Sequence, residues 1–73
     1  MKQEKNTDLT YKGDFFEQNA ELAKAMGNKE FVEKSYRRAI EAYETGGLIE
    51  QALKVARILE DKDKIKELEV KLK

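Results

Sequence analysis

Seventy-three residues allow one small domain with a limited core. Fifteen Lys and Arg balance fifteen Asp and Glu, so the chain lacks the net positive field that general nucleic-acid or membrane-surface binding needs. It has no Cys and no His, which excludes a disulfide framework, a thiolate metal site, the commonest general base and the thiolate nucleophile.

Residues 1–13 are polar, with Leu9 and Tyr11 as the clearly apolar positions after Met1. They lack helical periodicity, which predicts a flexible N-terminal tail. The remaining residues, 14–73, read as one helical domain. Its first helix is expected to start at Asp14, with Glu17 three residues on completing a capping box. The apolar stripe of this helix runs Phe15, Phe16, Leu22, Ala23 and Met26. Gly27 can take the left-handed conformation that ends a helix, and Asn28 can cap the next.

The second helix is expected from Lys29 to Glu44. Its apolar positions, Phe31, Val32, Tyr36, Ala39, Ile40, Ala42 and Tyr43, spread over about half the circumference. A helix between two neighbours has that profile. Its polar side pairs Glu30 with Lys34 and Glu33 with Arg37 at i,i+4 spacing. Thr45-Gly46-Gly47 then breaks the chain, and one of the two glycines should be left-handed. A third helix follows from Leu48 to Leu59, and a fourth, capped by Asp61, from Lys62 to Leu72. The fourth has the thinnest apolar stripe, Ile65, Leu68 and Leu72, and reads as a terminal cap with a solvated outer side.

Phe15 to Lys34 is echoed by Leu48 to Glu67, 33 positions later. Phe15, Phe16, Asn19, Ala20, Leu22, Ala23, Ala25 and Met26 correspond to Leu48, Ile49, Ala52, Leu53, Val55, Ala56, Ile58 and Leu59. Only Asn19 among these sixteen is polar. The echo makes Leu22 and Val55 equivalents on the central line of their helices, so both are expected to be buried. A period near 33 residues marks a helical hairpin that buries its apolar face by stacking on a neighbour.

With an aromatic at Phe16, a small residue at Ala20, glycine at Gly27, and Tyr36 then Ala39 in the second helix, the first hairpin resembles a tetratricopeptide (TPR) repeat, and an overlapping frame of Tyr36, Tyr43, Gly47 and Ala52 fits the pattern in part. The pattern departs at Val32, at Glu44 and at Glu60, which stands where the second turn would have glycine. The resemblance implies an all-α fold: four short antiparallel helices forming two TPR-like helical hairpins behind the flexible tail. It also implies that the first helices of the hairpins line a groove. On that surface the candidate partner-binding residues are Glu17, Glu21 and Lys24, then Glu50, Lys54 and Arg57. Glu17 and Glu21 carry the wrong charge for the family's carboxylate clamp, so chaperone C-terminal tails are not expected there.

No reaction chemistry is legible. Ser35 has no base at triad-like spacing and reads as a small residue at a tight helix contact. Asp61 and Asp63 lack the spaced oxygens of a calcium loop, and Gly46-Gly47 lacks the flanking elements of a phosphate loop. Lys34, Arg37 and Arg38 form the densest basic cluster, but they alternate with Glu30, Glu33 and Glu41, as a solvated face does. Phe15, Phe31 and Tyr43 have the helical spacing of core aromatics, and Asn19 reads as an edge position.

The resulting expectations are a cytoplasmic, non-enzymatic protein–protein interaction module with no cofactor, no metal and no membrane contact, whose partner is a protein or peptide. A self-associating structural subunit is the alternative, because two repeats are fewer than such stacks usually need. A helical nucleic-acid binder ranks third. No apolar run exceeds two residues, so no spanning segment or signal core is expected.

Overall fold

The computed structural model describes the backbone of residues 2–73 and the side chains of residues 11–73. Four helices follow in order: α1 Lys2–Ala25, α2 Lys29–Thr45, α3 Ile49–Leu59 and α4 Lys62–Leu72. The last three match their predicted ranges to within one residue. The start of α1 does not. Tyr11, Lys12 and Gly13 are helical, so Asp14 sits inside a helix and caps nothing. The expected flexible tail otherwise falls on residues 1–10, whose side chains lie outside the described residues.

Three turns with one geometry connect the helices. Each places a left-handed residue before the cap of the next helix: Gly27 with φ +77°, Gly47 with φ +77° and Glu60 with φ +59°. In each, the following N–H reaches back five residues to a carbonyl. Asn28 N donates to Ala23 O at 2.9 Å, Leu48 N to Tyr43 O at 2.8 Å and Asp61 N to Ala56 O at 3.2 Å. These are Schellman-type endings. Of the glycine pair, Gly47 takes the positive φ, while Gly46 caps α2 at φ −85°. Glu60 adopts this conformation despite the Cβ penalty of roughly 1–2 kcal/mol, because the turn is closed by its neighbours on both sides. Asn28 Oδ1 accepts from Phe31 N and Asp61 Oδ1 accepts from Lys64 N, both at 3.2 Å, so both predicted caps form.

Hydrogen bonds set the directions. Late α2 meets early α1, through Tyr43 and Asp14, while earlier α2 meets later α1, through Tyr36 and Glu21. The two helices are therefore antiparallel. Helix α4 runs alongside α2 in the same direction, with Arg37 paired to Asp61 and Glu44 paired to both Lys64 and Lys71, each at 2.9 Å. The core lies around α2 and α3. Tyr36, Ala39, Ile40, Tyr43, Ala52, Leu53, Val55, Ala56 and Leu68 pack there with Ala20 from α1. Ser35 is buried with them, as its reading as a tight contact requires.

Helix α1 departs from the expected packing. Its buried positions are small, Gly13, Ala20 and Ala23, with Phe16 half-buried. Leu22, predicted to be buried, is 62% exposed, whereas its equivalent Val55 is 0% exposed. The reason is position in the stack. Helix α3 has neighbours in α2 and α4, but α1 packs chiefly on α2. Truncation should separate the two residues. Val55→Ala is expected to cost about 1–3 kcal/mol in urea unfolding, and Leu22→Ala to stay within about 0.5 kcal/mol of the parent. Phe15 and Phe31 are likewise about half exposed rather than core, while Tyr43 is fully buried.

Glu44 links α2 to α4 through Lys64 and Lys71. Burial pushes its carboxyl up, but hydrogen bonds from Lys71 and Lys64 outweigh this and hold it below the usual carboxylate range. Lys64 is held above the usual ammonium range, first by its hydrogen bond to Glu44. A depressed carboxylate contributes stability that is complete above its unfolded value and lost as pH falls through its folded value. The melting temperature should therefore fall as pH drops from about 5 to about 3. Glu44→Gln, which has no proton to take up, should lose less over that window in thermal melts followed by circular dichroism.

Candidate interaction surface

Asp14, Glu17 and Glu21 fall at i, i+3 and i+7 on α1, which places them on one face of the helix. With Gln18 they line a shallow, open hollow. Two tyrosines of α2 stand behind it. Tyr43 Oη donates at 2.5 Å to Asp14 Oδ1 and at 2.6 Å to Glu17 Oε1. Tyr36 Oη donates at 3.4 Å to Glu21 Oε2. Both tyrosines are buried, hydroxyls included, beneath the α1 carboxylates that they meet, so each phenol contributes both core packing and a polar anchor. The single Tyr43 proton serves one carboxylate at a time. Burial, then the bonds to Asp14 and Glu17, push the Tyr43 phenol well above the ordinary phenol range. Burial and Glu21 raise that of Tyr36. Both hydroxyls therefore stay protonated donors at any physiological pH.

Of the sequence-predicted residues, Glu17 and Glu21 come together around this hollow. Lys24 lies at a second, mostly apolar depression, shared with Gly27, Asn28, Lys29, Val32, Glu33 and Leu59. Glu50 and Lys54 are exposed on α3, and neither is engaged by an ion pair among the described residues. Arg57 leans to α4, 3.5 Å from Glu69, with both side chains about half exposed. The acidic set on α1 and the mixed set on α3 thus occupy separate surroundings rather than one lined hollow.

Two members of the basic cluster on α2, Arg37 and Arg38, are engaged within the chain. Arg37 binds Glu33 at 3.2 Å and Asp61 at 2.9 Å, clamping α2 to the cap of α4. Arg38 sits over the Phe16 ring, 5.9 Å from its centroid, in a cation–π contact. Among the described residues no ion pair joins Glu30 to Lys34, the other pair expected from the spacing.

Asp14 belongs to this surface and Tyr36 and Tyr43 support it from beneath, and sequence reasoning alone does not find them. By spacing, Asp14 reads as a cap and the tyrosines as plain core. Gly13 falls in the stretch read as a non-helical tail, so the sequence carries no signal of a close approach there. In the structure Gly13 admits the Tyr43 ring, which brings the hydroxyl to the α1 carboxylates.

No group of His, Cys, Asp or Glu among the described residues has an arrangement that could hold a metal ion, and no described helix is long and apolar enough to cross a membrane. Comparison of the chain with protein-family models, with curated proteins and with solved structures gives no match.

Proposed function

We propose that the chain is a small non-enzymatic protein-interaction module of two TPR-like hairpins, which binds a protein or peptide segment along the outer side of α1 and α3. The observation that carries this reading is the acidic row on α1. Its carboxylates are held in place by buried tyrosines yet open to solvent on their outer side, so a cationic group can meet acceptors that are already ordered. Exposed Glu50 and Lys54 on α3 offer mixed charge in surroundings of their own, which a longer bound segment would reach beyond the hollow. The opposite reading, a basic phosphate-binding face on α2, is disfavoured because Arg37 is spent on Glu33 and Asp61.

The affinity should be modest and salt-sensitive. A partner recovered by pull-down would be tested against charge reversals made on each face separately. Binding should be lost in Glu21→Lys and weakened in Lys54→Glu, and should survive reversal of Lys34 and Arg38. Loss of binding in the Lys34 and Arg38 variants, with Glu21→Lys unaffected, would transfer the site to the basic face.

A further inference from the structure

Helix α1 carries a row of large apolar side chains that no described part of the chain covers. Tyr11, Phe15, Leu22 and Met26 are 77%, 58%, 62% and 74% exposed. At about 100° per residue, all four fall within an arc of about 60°. Single exposed apolar side chains are ordinary, but four on one face, two on either side of Gln18 and Asn19, mark an interaction surface.

The second hairpin indicates what kind of object fits. The equivalents of Phe15, Leu22 and Met26 are Leu48, Val55 and Leu59, and all three pack into the core. Helices α2 and α4 are the elements packed on α3. Where this chain satisfies such a row, it does so with another helix.

The spacing identifies which helix. Tyr11 to Phe15 is a gap of four, and Leu22 to Met26 is the same gap in reverse order. The row is symmetric about the point between Gln18 and Asn19. A two-fold interface needs this property, because residue i of one copy must meet residue j of the other and j must meet i. We infer that α1 pairs antiparallel with α1 of a second copy of this chain. Tyr11 lies against the partner's Met26, a favourable sulfur–aromatic contact, and Phe15 lies against the partner's Leu22. Gln18 and Asn19 meet at the axis, where paired amides set the register. Like charge does not block the approach. Asp14, Glu17 and Glu21 flank the row, but their carboxylates turn to the Tyr43 and Tyr36 hydroxyls. Gln18 lines both this seam and the acidic hollow, so the two surfaces adjoin, but each has its own test.

The test is sedimentation equilibrium over a micromolar to millimolar series, with circular dichroism as the folding control. The parent should show a monomer–dimer equilibrium. Leu22→Asp and, separately, Leu22→Lys should weaken it by roughly a hundredfold, since each dimer loses two buried leucines, while helix content is unchanged because Leu22 is exposed in the monomer. The natural absence of cysteine makes single-cysteine variants clean reporters of register. Gln18→Cys should form a disulfide-linked dimer on mild oxidation. Leu22→Cys should not, because the two copies of that position stand about 10 Å apart along the helices, beyond disulfide reach. A monomer at every concentration overturns the inference. So does a dimer indifferent to Leu22, an open-ended series of oligomers, or cross-linking through Leu22→Cys in place of Gln18→Cys.

Discussion

Gly13→Ala should destabilise the domain by about 2 kcal/mol or more, seen as a lower urea midpoint and a fall in melting temperature of roughly 10 °C. The sign is the informative part. In a helix interior, Gly→Ala ordinarily stabilises by about 0.5–1 kcal/mol, because alanine loses less backbone entropy. At Gly13 a Cβ would overlap the Cε1, Cζ and Cδ1 atoms of the fully buried Tyr43 ring. The ring cannot retreat, because it is packed in the core and its hydroxyl is tied to Asp14 and Glu17. Helix α1 would have to move away from α2 and give up the close approach made by Ala20 and Ala23. A double-mutant cycle isolates the cause. In a Tyr43→Leu background the cost of Gly13→Ala should shrink or reverse sign. If Gly13→Ala stabilises the parent protein, the close contact of α1 with the Tyr43 ring is wrong.

Leu68→Ala should cost about 2–4 kcal/mol, a large part of what a domain of this size has to lose. Leu68 is the one fully buried side chain of α4. The rest of that helix adds half-buried Ile65 and ion pairs that are partly open to water, Glu44 with Lys64 and Lys71 and Arg57 with Glu69. Such pairs contribute little by themselves. With Leu68 truncated, α4 is expected to fray first. Hydrogen exchange should then show its amides opening ahead of those of α2 and α3. Equal protection across all four helices in Leu68→Ala would mean that the ion pairs hold α4 without the leucine.

Much of this architecture is legible in the amino-acid sequence. The caps at Asn28 and Asp61, the breaks at Gly27 and Gly47, and the limits of α2, α3 and α4 are local features. A side chain either can or cannot accept from an N–H three residues on, and a glycine either is or is not available for positive φ. Such choices are made within a few residues, and the chain states them directly. The wide apolar arc of α2 also foretells a helix with neighbours on more than one side, because the number of apolar positions on a helix sets how much of its surface needs cover.

Other features depend on which neighbour is present, and periodicity carries no information about that. Leu22 and Val55 occupy the same place in the repeat, and only the order of helices in the stack leaves one in water and the other in the core. Residues Tyr11–Gly13 lack an apolar stripe, yet they are helical because Gly13 gives the Tyr43 ring a place to lie. Glu60 stands where glycine would be expected and still adopts the left-handed turn, since the chain on either side is fixed by its own helices. The joining of Asp14, Glu17 and Glu21 to Tyr43 and Tyr36 spans 15 to 29 positions of sequence. The sequence by itself determined α2, α3 and α4 and the caps at Asn28 and Asp61, because those are short-range hydrogen-bonding and conformational preferences. Only the tertiary structure decided which apolar faces are covered and which carboxylates are held, because burial and pairing are properties of the neighbour as much as of the residue.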